Sequence, residues 1–190
     1  MALYIGLAGP MGSGKGKIAK ILKKRGFRYI SLSDVVRNHA TKRKLEHTRK
    51  NLQDVGNDLR NVYGAGVLGK IVRETIKHAS GQDWVVDGIR NPAEVKELKE
   101  LTDFHLVGVS AGKEILVERM LDRAREGEEE KTKEEILESI ERGLGKGEPK
   151  DGQQVAKCLK TADVLIKNEG TLKELEDKFD TFYSSLSKNE

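Results

Sequence analysis

The sequence predicts a three-layer α/β/α fold, with helices on both faces of a five-stranded parallel sheet. Three features carry that prediction. Short apolar, β-rich runs alternate with stretches of helical periodicity along most of the chain. The first such run ends in a glycine cluster that leads straight into a helix. The 190 residues suffice for one domain with a substantial core and fall short of a second full domain.

Leu3 to Ala8 reads as the first strand, and Ile18, Ala19, Ile21 and Leu22 then recur at helical spacing up to Gly26. Phe27 to Ile30 reads as a second strand, followed by a charged helical stretch from about Val35 to Leu45. Thr48 to Tyr63 and Val67 to Ala79 give two more helices, parted by Gly64 and Gly66. Trp84-Val85-Val86-Asp87 is the third strand, and Asn91-Pro92 opens a helix with the proline in its first turn. Phe104 to Val109 is the fourth strand, Lys113 to Arg125 a helix, Val164-Leu165-Ile166 the last strand, and Leu172 to Leu186 the closing helix. Two stretches stand outside this alternation. The single domain of residues 1–190 therefore divides into a core (1–31, 67–126, 153–190), a helical insertion (32–66) and a Glu-, Lys- and Gly-rich segment (127–152), the last two expected to be mobile.

A charged fraction of 35% against 36% hydrophobic residues fits a soluble globular protein. The net charge of +4 is modest, with acids and bases interspersed, which favours local phosphate-binding positives over a nucleic-acid footprint. Cys158 alone makes no internal disulfide and no cysteine-rich metal site, and suits a reducing compartment. The first six residues carry no basic flank and too short an apolar run for a signal peptide or membrane span. A cytoplasmic protein with neither membrane nor nucleic acid as partner is expected.

Gly9-Pro10-Met11-Gly12-Ser13-Gly14-Lys15 has the G-x-x-x-x-G-K spacing of a P-loop NTPase, between a strand and a helix. The glycines let successive N–H groups converge, the helix N-terminus adds partial positive charge, and Lys15 adds a full one beside the β and γ phosphates. A polyphosphate, ATP with Mg²⁺, is the natural ligand. The hydroxyl that normally follows the lysine and binds magnesium is missing, because Gly16 and Lys17 come next. The ion must then rely on phosphate oxygens, water and a carboxylate elsewhere, with Ser13 as an alternative hydroxyl.

On these residues the chain resembles the P-loop nucleoside monophosphate kinases, of the adenylate-kinase or dephospho-CoA-kinase type. The resemblance implies a helical monophosphate-binding insertion at 32–66 and a lid at 127–152. Ile30-Ser31-Leu32-Ser33-Asp34-Val35-Val36-Arg37 is similar to the start of that insertion, which gives Arg37, with Asp34 beside it, to the acceptor phosphate. Val85-Val86-Asp87-Gly88-Ile89-Arg90 resembles the family strand that ends in Asp-Gly-Phe-Pro-Arg, one residue shorter. That resemblance places Asp87 at Mg²⁺ and Arg90 on the acceptor, at the carboxyl end of a strand where open α/β sheets bind ligands. The stretch from Val117 to Arg125 is similar to the helix leading into the lid, so Arg119 and Arg123 fall to the nucleotide and the transferring phosphoryl, with Arg125 and Arg142 as further candidates. Asn168 and Gly170 match the adenine-side turn of dephospho-CoA kinases; Gly170 as a plain turn and Thr171 as a helix cap is the alternative.

Leu52-Gln53-Asp54-Val55-Gly56-Asn57-Asp58-Leu59-Arg60 resembles a pattern of phage-type deoxynucleotide kinases and of a P-loop domain joined to deoxycytidylate deaminases. It points Gln53, Asn57 and Arg60 at a deoxynucleoside monophosphate, Gln53 and Asn57 being one helical turn apart. Without His-x-Glu and Pro-Cys-x-x-Cys there is no zinc deaminase centre. The expected activity is transfer of the γ-phosphoryl of ATP to a nucleoside monophosphate. A dephospho-CoA kinase, or a slow ATPase acting as a switch or assembly factor, stands as the alternative.

Overall fold

The computed structural model describes residues 2–79, 81–125 and 132–186. Among them, five strands form one sheet: β1 (Tyr4–Ala8), β2 (Arg28–Ser31), β3 (Trp84–Ile89), β4 (Phe104–Ser110) and β5 (Val164–Lys167). Their order is β2-β3-β1-β4-β5, every neighbouring pair parallel, so β1 sits at the centre and its carboxyl end lies beside that of β3. Side chains alternate across the sheet as strand geometry requires. Ile5, Leu7, Val85, Val107 and Val109 pack on one face with α1 (Lys15–Lys24) and α9 (Leu172–Leu186). Trp84, Val86, Leu106 and Phe104 pack on the other. That second face is covered by α2 (Leu32–Lys42), α3 (Arg49–Tyr63), α4 (Val67–His78), α5 (Pro92–Leu98) and α8 (Val155–Lys160). Each fully buried aliphatic side chain contributes about 1.5–3 kcal/mol.

The elements follow the sequence closely, with local differences that have local causes. The N–H of Phe27 bonds Leu22 O at 3.1 Å and so closes the C-terminus of α1, which leaves Arg28 to begin β2. Helix α2 begins at Leu32, earlier than periodicity alone suggests, because the Ser31 hydroxyl caps it by accepting from Ser33 N at 3.1 Å. The stretch 127–152 contains a helix that its composition conceals, α7 (Lys133–Leu144), opened by a capping box between Thr132 and Glu135. Ile136 and Ile140 of α7 are buried against Leu116 and Val117 of α6 (Lys113–Arg125), forming a third apolar cluster. Residues 127–131 of the expected lid, and the side chain of Arg125, lie outside the described residues. No described helix is long and apolar enough to cross a membrane.

Two buried features lock the helices on this face of the sheet together, and the second also ties the insertion to the core. Gly69 of α4 lies so near α5 that a Cβ there would come within 2.7 Å of Glu94 O and 2.8 Å of Glu94 Cα. Arg60 of α3, with a side chain 2% exposed, makes an ion pair with Glu94, which is fully buried, at 2.8 Å from both Nε and Nη2.

Gly69→Ala is therefore expected to push α4 off α5 and cost about 1–3 kcal/mol, read as a lower midpoint in chemical denaturation. Arg60→Ala leaves a buried carboxylate without its cation and should cost about 3–5 kcal/mol in the same measurement. A loss below about 1 kcal/mol would mean that Glu94 finds another partner.

Candidate active site

The phosphate loop leaves β1 at Ala8 and enters α1 at Lys15. Gly14 has φ +106°, and a Cβ there would come 2.5 Å from Asn168 Nδ2, so both the turn and the close approach call for glycine. Asn168, buried just beyond β5, donates from Nδ2 to Ser13 O at 2.9 Å and from its backbone N–H to Ser110 O at 2.8 Å. Arg119 on α6 donates to Gly12 O at 3.3 Å and to Gly170 O at 3.5 Å. These residues brace the loop from outside the cleft it borders. Thr171 makes a capping box with Glu174 at the start of α9, as its helix-cap reading expects. Lys15 Nζ donates to Gly9 O at 2.7 Å and Pro10 O at 2.8 Å. The Ser13 hydroxyl is buried with no hydrogen-bond partner among the described residues, an unmatched polar atom inside the loop. Gly16 borders the cleft, whereas Lys17 is exposed and does not.

The cleft, of about 330 Å³, runs from this loop across the carboxyl end of β3 to α2, α3 and α7. Asp87, near that carboxyl end, accepts from Gly88 N at 2.7 Å and from the Tyr29 hydroxyl at 3.2 Å. Burial first, and then the Asp87 carboxylate, push the Tyr29 phenol up to about 12, so it stays protonated and holds Asp87 as a donor.

Arg90 faces the phosphate loop from one residue past β3. Its Nη1 donates to Gln153 Oε1 at 3.1 Å and its Nη2 reaches Ser33 Oγ at 3.4 Å, both neutral oxygens. No ion pair to Arg90 is present among the described residues. The nearby Glu94 carboxylate is otherwise engaged: one oxygen takes Arg60 and the other takes the backbone N–H of Arg90 at 2.8 Å and of Asn91 at 3.0 Å. Burial, and then the neighbouring Arg60 charge, lower the Arg90 pKa from its ordinary value, so its positive charge is under-compensated. An anion is the group that would match it.

Of the residues singled out from the sequence, the cleft brings together Gly9, Met11, Gly12, Ser13, Gly14, Lys15, Gly16, Arg37, Gln53, Asp87, Arg90 and Arg123. Arg37 also pairs with Asp34 at 2.7 Å on the exposed side of α2. Asp34, Asn57, Arg60, Lys17, Arg119, Asn168 and Gly170 do not line it. Gln53 and Asn57 share a helix but not a target: Gln53 borders the cleft, and Asn57 donates to Glu148. Arg142 reaches from α7 to Gln53 and Asp54.

Sequence reasoning missed Ser33, Ser139, Gln153 and Glu94. Asn91-Pro92-Ala93-Glu94 has the spacing of a capping box and could have marked Glu94, while Gln153 sits in a short loop that carries no such signal.

Among the described residues no group of three or more His, Cys, Asp or Glu side chains could hold a metal ion. A magnesium ion bound largely through phosphate oxygens and water needs only one or two carboxylates, and Asp87, in the same cleft as the loop, fits that need.

The chain matches known proteins along nearly its whole length. The profile of a family described as an AAA domain matches residues 8–137. The UPF0200 protein of Sulfurisphaera tokodaii is 31% identical over 180 residues, covering 92% of each chain. That of Pyrococcus horikoshii is 30% identical over 194 residues, covering 98% of this chain and 99% of its own. Among solved structures, TT1252 from Thermus thermophilus superposes with a TM-score of 0.63 at 19% identity, over 97% of this chain and 98% of that one. Shikimate kinase from Acinetobacter baumannii in complex with shikimate gives 0.55 at 14% identity, over 100% and 96%. At such identities the two structures establish the fold alone, a three-layer α/β/α fold around a parallel sheet. With that fold, the profile match and relatives aligned almost end to end, the chain belongs to the UPF0200 family and carries an AAA domain.

Proposed function

We propose that this protein is a phosphotransferase of the cytoplasm that moves the γ-phosphoryl group of ATP onto a nucleoside monophosphate, with a deoxynucleotide as the expected acceptor. The observation that carries the proposal is Arg90, a half-buried cation with only neutral partners, set in one cleft with Lys15 and the phosphate loop. A cation just past the carboxyl end of β3, apart from the loop that takes the polyphosphate, suits the phosphate of a second ligand.

In this mechanism the loop N–H groups hold the β and γ phosphates, and Lys15 exchanges its carbonyl partners for their oxygens. Arg90 and Arg37 hold the acceptor phosphate. One of its oxygens attacks the γ-phosphorus in line, the bond from that phosphorus to the β–γ bridging oxygen breaks, and ADP leaves with the electron pair. The acceptor departs as a diphosphate. Arg123 counters charge on the equatorial oxygens. Asp87, together with the phosphates, would hold a Mg²⁺ ion, which would supply further charge neutralisation. The protein contributes alignment and electrostatics, and covalent chemistry with its own side chains is not required.

Pure protein with Mg-ATP and, separately, each ribo- and deoxynucleoside monophosphate and dephospho-CoA should phosphorylate a monophosphate. Lys15→Ala and Arg90→Ala should each lower kcat/KM by about 100-fold or more. ADP formation indifferent to every acceptor would instead favour a nucleotide-dependent switch. Asp87→Asn should raise the Mg²⁺ concentration needed for half-maximal turnover about tenfold. An unchanged magnesium dependence would remove Asp87 from that role.

A further inference from the structure

Gln53 lies on α3, is 6% exposed, and borders the cleft. Its Oε1 accepts a hydrogen bond from Arg142 Nη1 at 3.2 Å. A guanidinium can only donate, so the carboxamide must turn its oxygen toward Arg142. Its NH₂ group is then the end left for a ligand, and it donates to no described residue.

Arg142 is itself tied on both other sides. Its Nε donates to Glu148 Oε1 at 2.5 Å and its Nη2 to Asp54 Oδ1 at 3.0 Å. Glu148 has a side chain only 5% exposed and takes Asn57 Nδ2 on its other oxygen. A glutamine without such a partner can rotate its amide by half a turn and offer either a donor or an acceptor. Here that rotation would set an NH₂ group against a guanidinium and leave both without an acceptor.

Resting on the kinase reading above, we propose that Gln53 reads the acceptor's base as a donor only, and that Arg142 is the positioning residue that keeps it so. The site takes a nucleobase that turns a keto oxygen toward Gln53 and disfavours one that turns an exocyclic amino group there. Uracil, thymine and guanine nucleotides are the accepted class, and cytosine and adenine nucleotides the disfavoured one.

The test compares kcat/KM within ring-matched pairs, dUMP against dCMP and dGMP against dAMP, for the wild type and three variants. The wild type should favour the keto member by about tenfold or more. Gln53→Glu keeps a partner for Arg142 but offers the base acceptors only, and should turn the preference toward the amino member. Arg142→Met frees the amide to turn and should collapse the ratio through better use of the amino base, whereas a mere loss of structure would lower both members alike. Arg142→Lys, still a donor, should restore the preference. If a variant loses turnover, calorimetric binding of the same four monophosphates gives the comparison. Equal use of the two classes, a preference for amino bases, or a keto preference that survives Gln53→Glu would overturn the proposal and leave the kinase reading standing. If no monophosphate is phosphorylated, the kinase reading fails and this inference fails with it.

Discussion

Both carboxylate oxygens of Glu94 are committed, one to the guanidinium of Arg60 and one to the backbone N–H groups of Arg90 and Asn91. This buried group closes the capping box at the start of α5 and at the same time anchors α3 of the insertion. Asn91 extends the joint, donating from Nδ2 to Lys150 O at 3.1 Å and Gly152 O at 2.8 Å. Gln154 N closes it by donating to Arg90 O at 2.6 Å. The backbone of Arg90 is thus held by Glu94 of α5, which the insertion anchors through Arg60, and by the segment after α7. On the proposed reading such fixing matters, because small misplacements of a group that aligns a substrate are costly in rate.

The same carboxylate decides the charge of the site. Were Glu94 free to pair with Arg90, that arginine would be neutralised within the protein and would have little to offer a ligand. Arg60 takes the carboxylate instead, and its own charge adds to the disfavour of Arg90's cation. The protein bears an under-compensated positive charge beside its phosphate loop, the kind of electrostatic tension that concentrates at functional sites. Tyr29 does the complementary work on Asp87, steadying the carboxylate without bringing a charge of its own.

How much of this the sequence revealed depends on the range of the interaction. Strand and helix periodicity is local, so all five strands and most helices were legible, as was the phosphate loop with its strand and helix. Helix α7 was hidden by its Glu and Lys residues, although Ile136 and Ile140 are one turn apart and face α6. Arg60 looked like a ligand group because its helix position shows a face but not a partner; its partner lies 34 residues on. Gln53 and Asn57 show the same limit, since one-turn spacing brought them onto a common side while contacts from Arg142 and Glu148 gave them separate roles. Gln153, buried against Arg90, depends wholly on the packing of a loop that has no pattern of its own.

On the proposed reading, the phosphate loop and Arg90 hold two phosphorylated ligands end to end in one cleft. Calorimetry with two nucleosides joined through five phosphates tests this most directly, since such a molecule spans donor and acceptor positions at once. It should bind at least about 100-fold more tightly than ATP, and Arg90→Ala should remove most of the gain while leaving ATP affinity little changed. Binding no tighter than ATP, or a gain indifferent to Arg90, would contradict it.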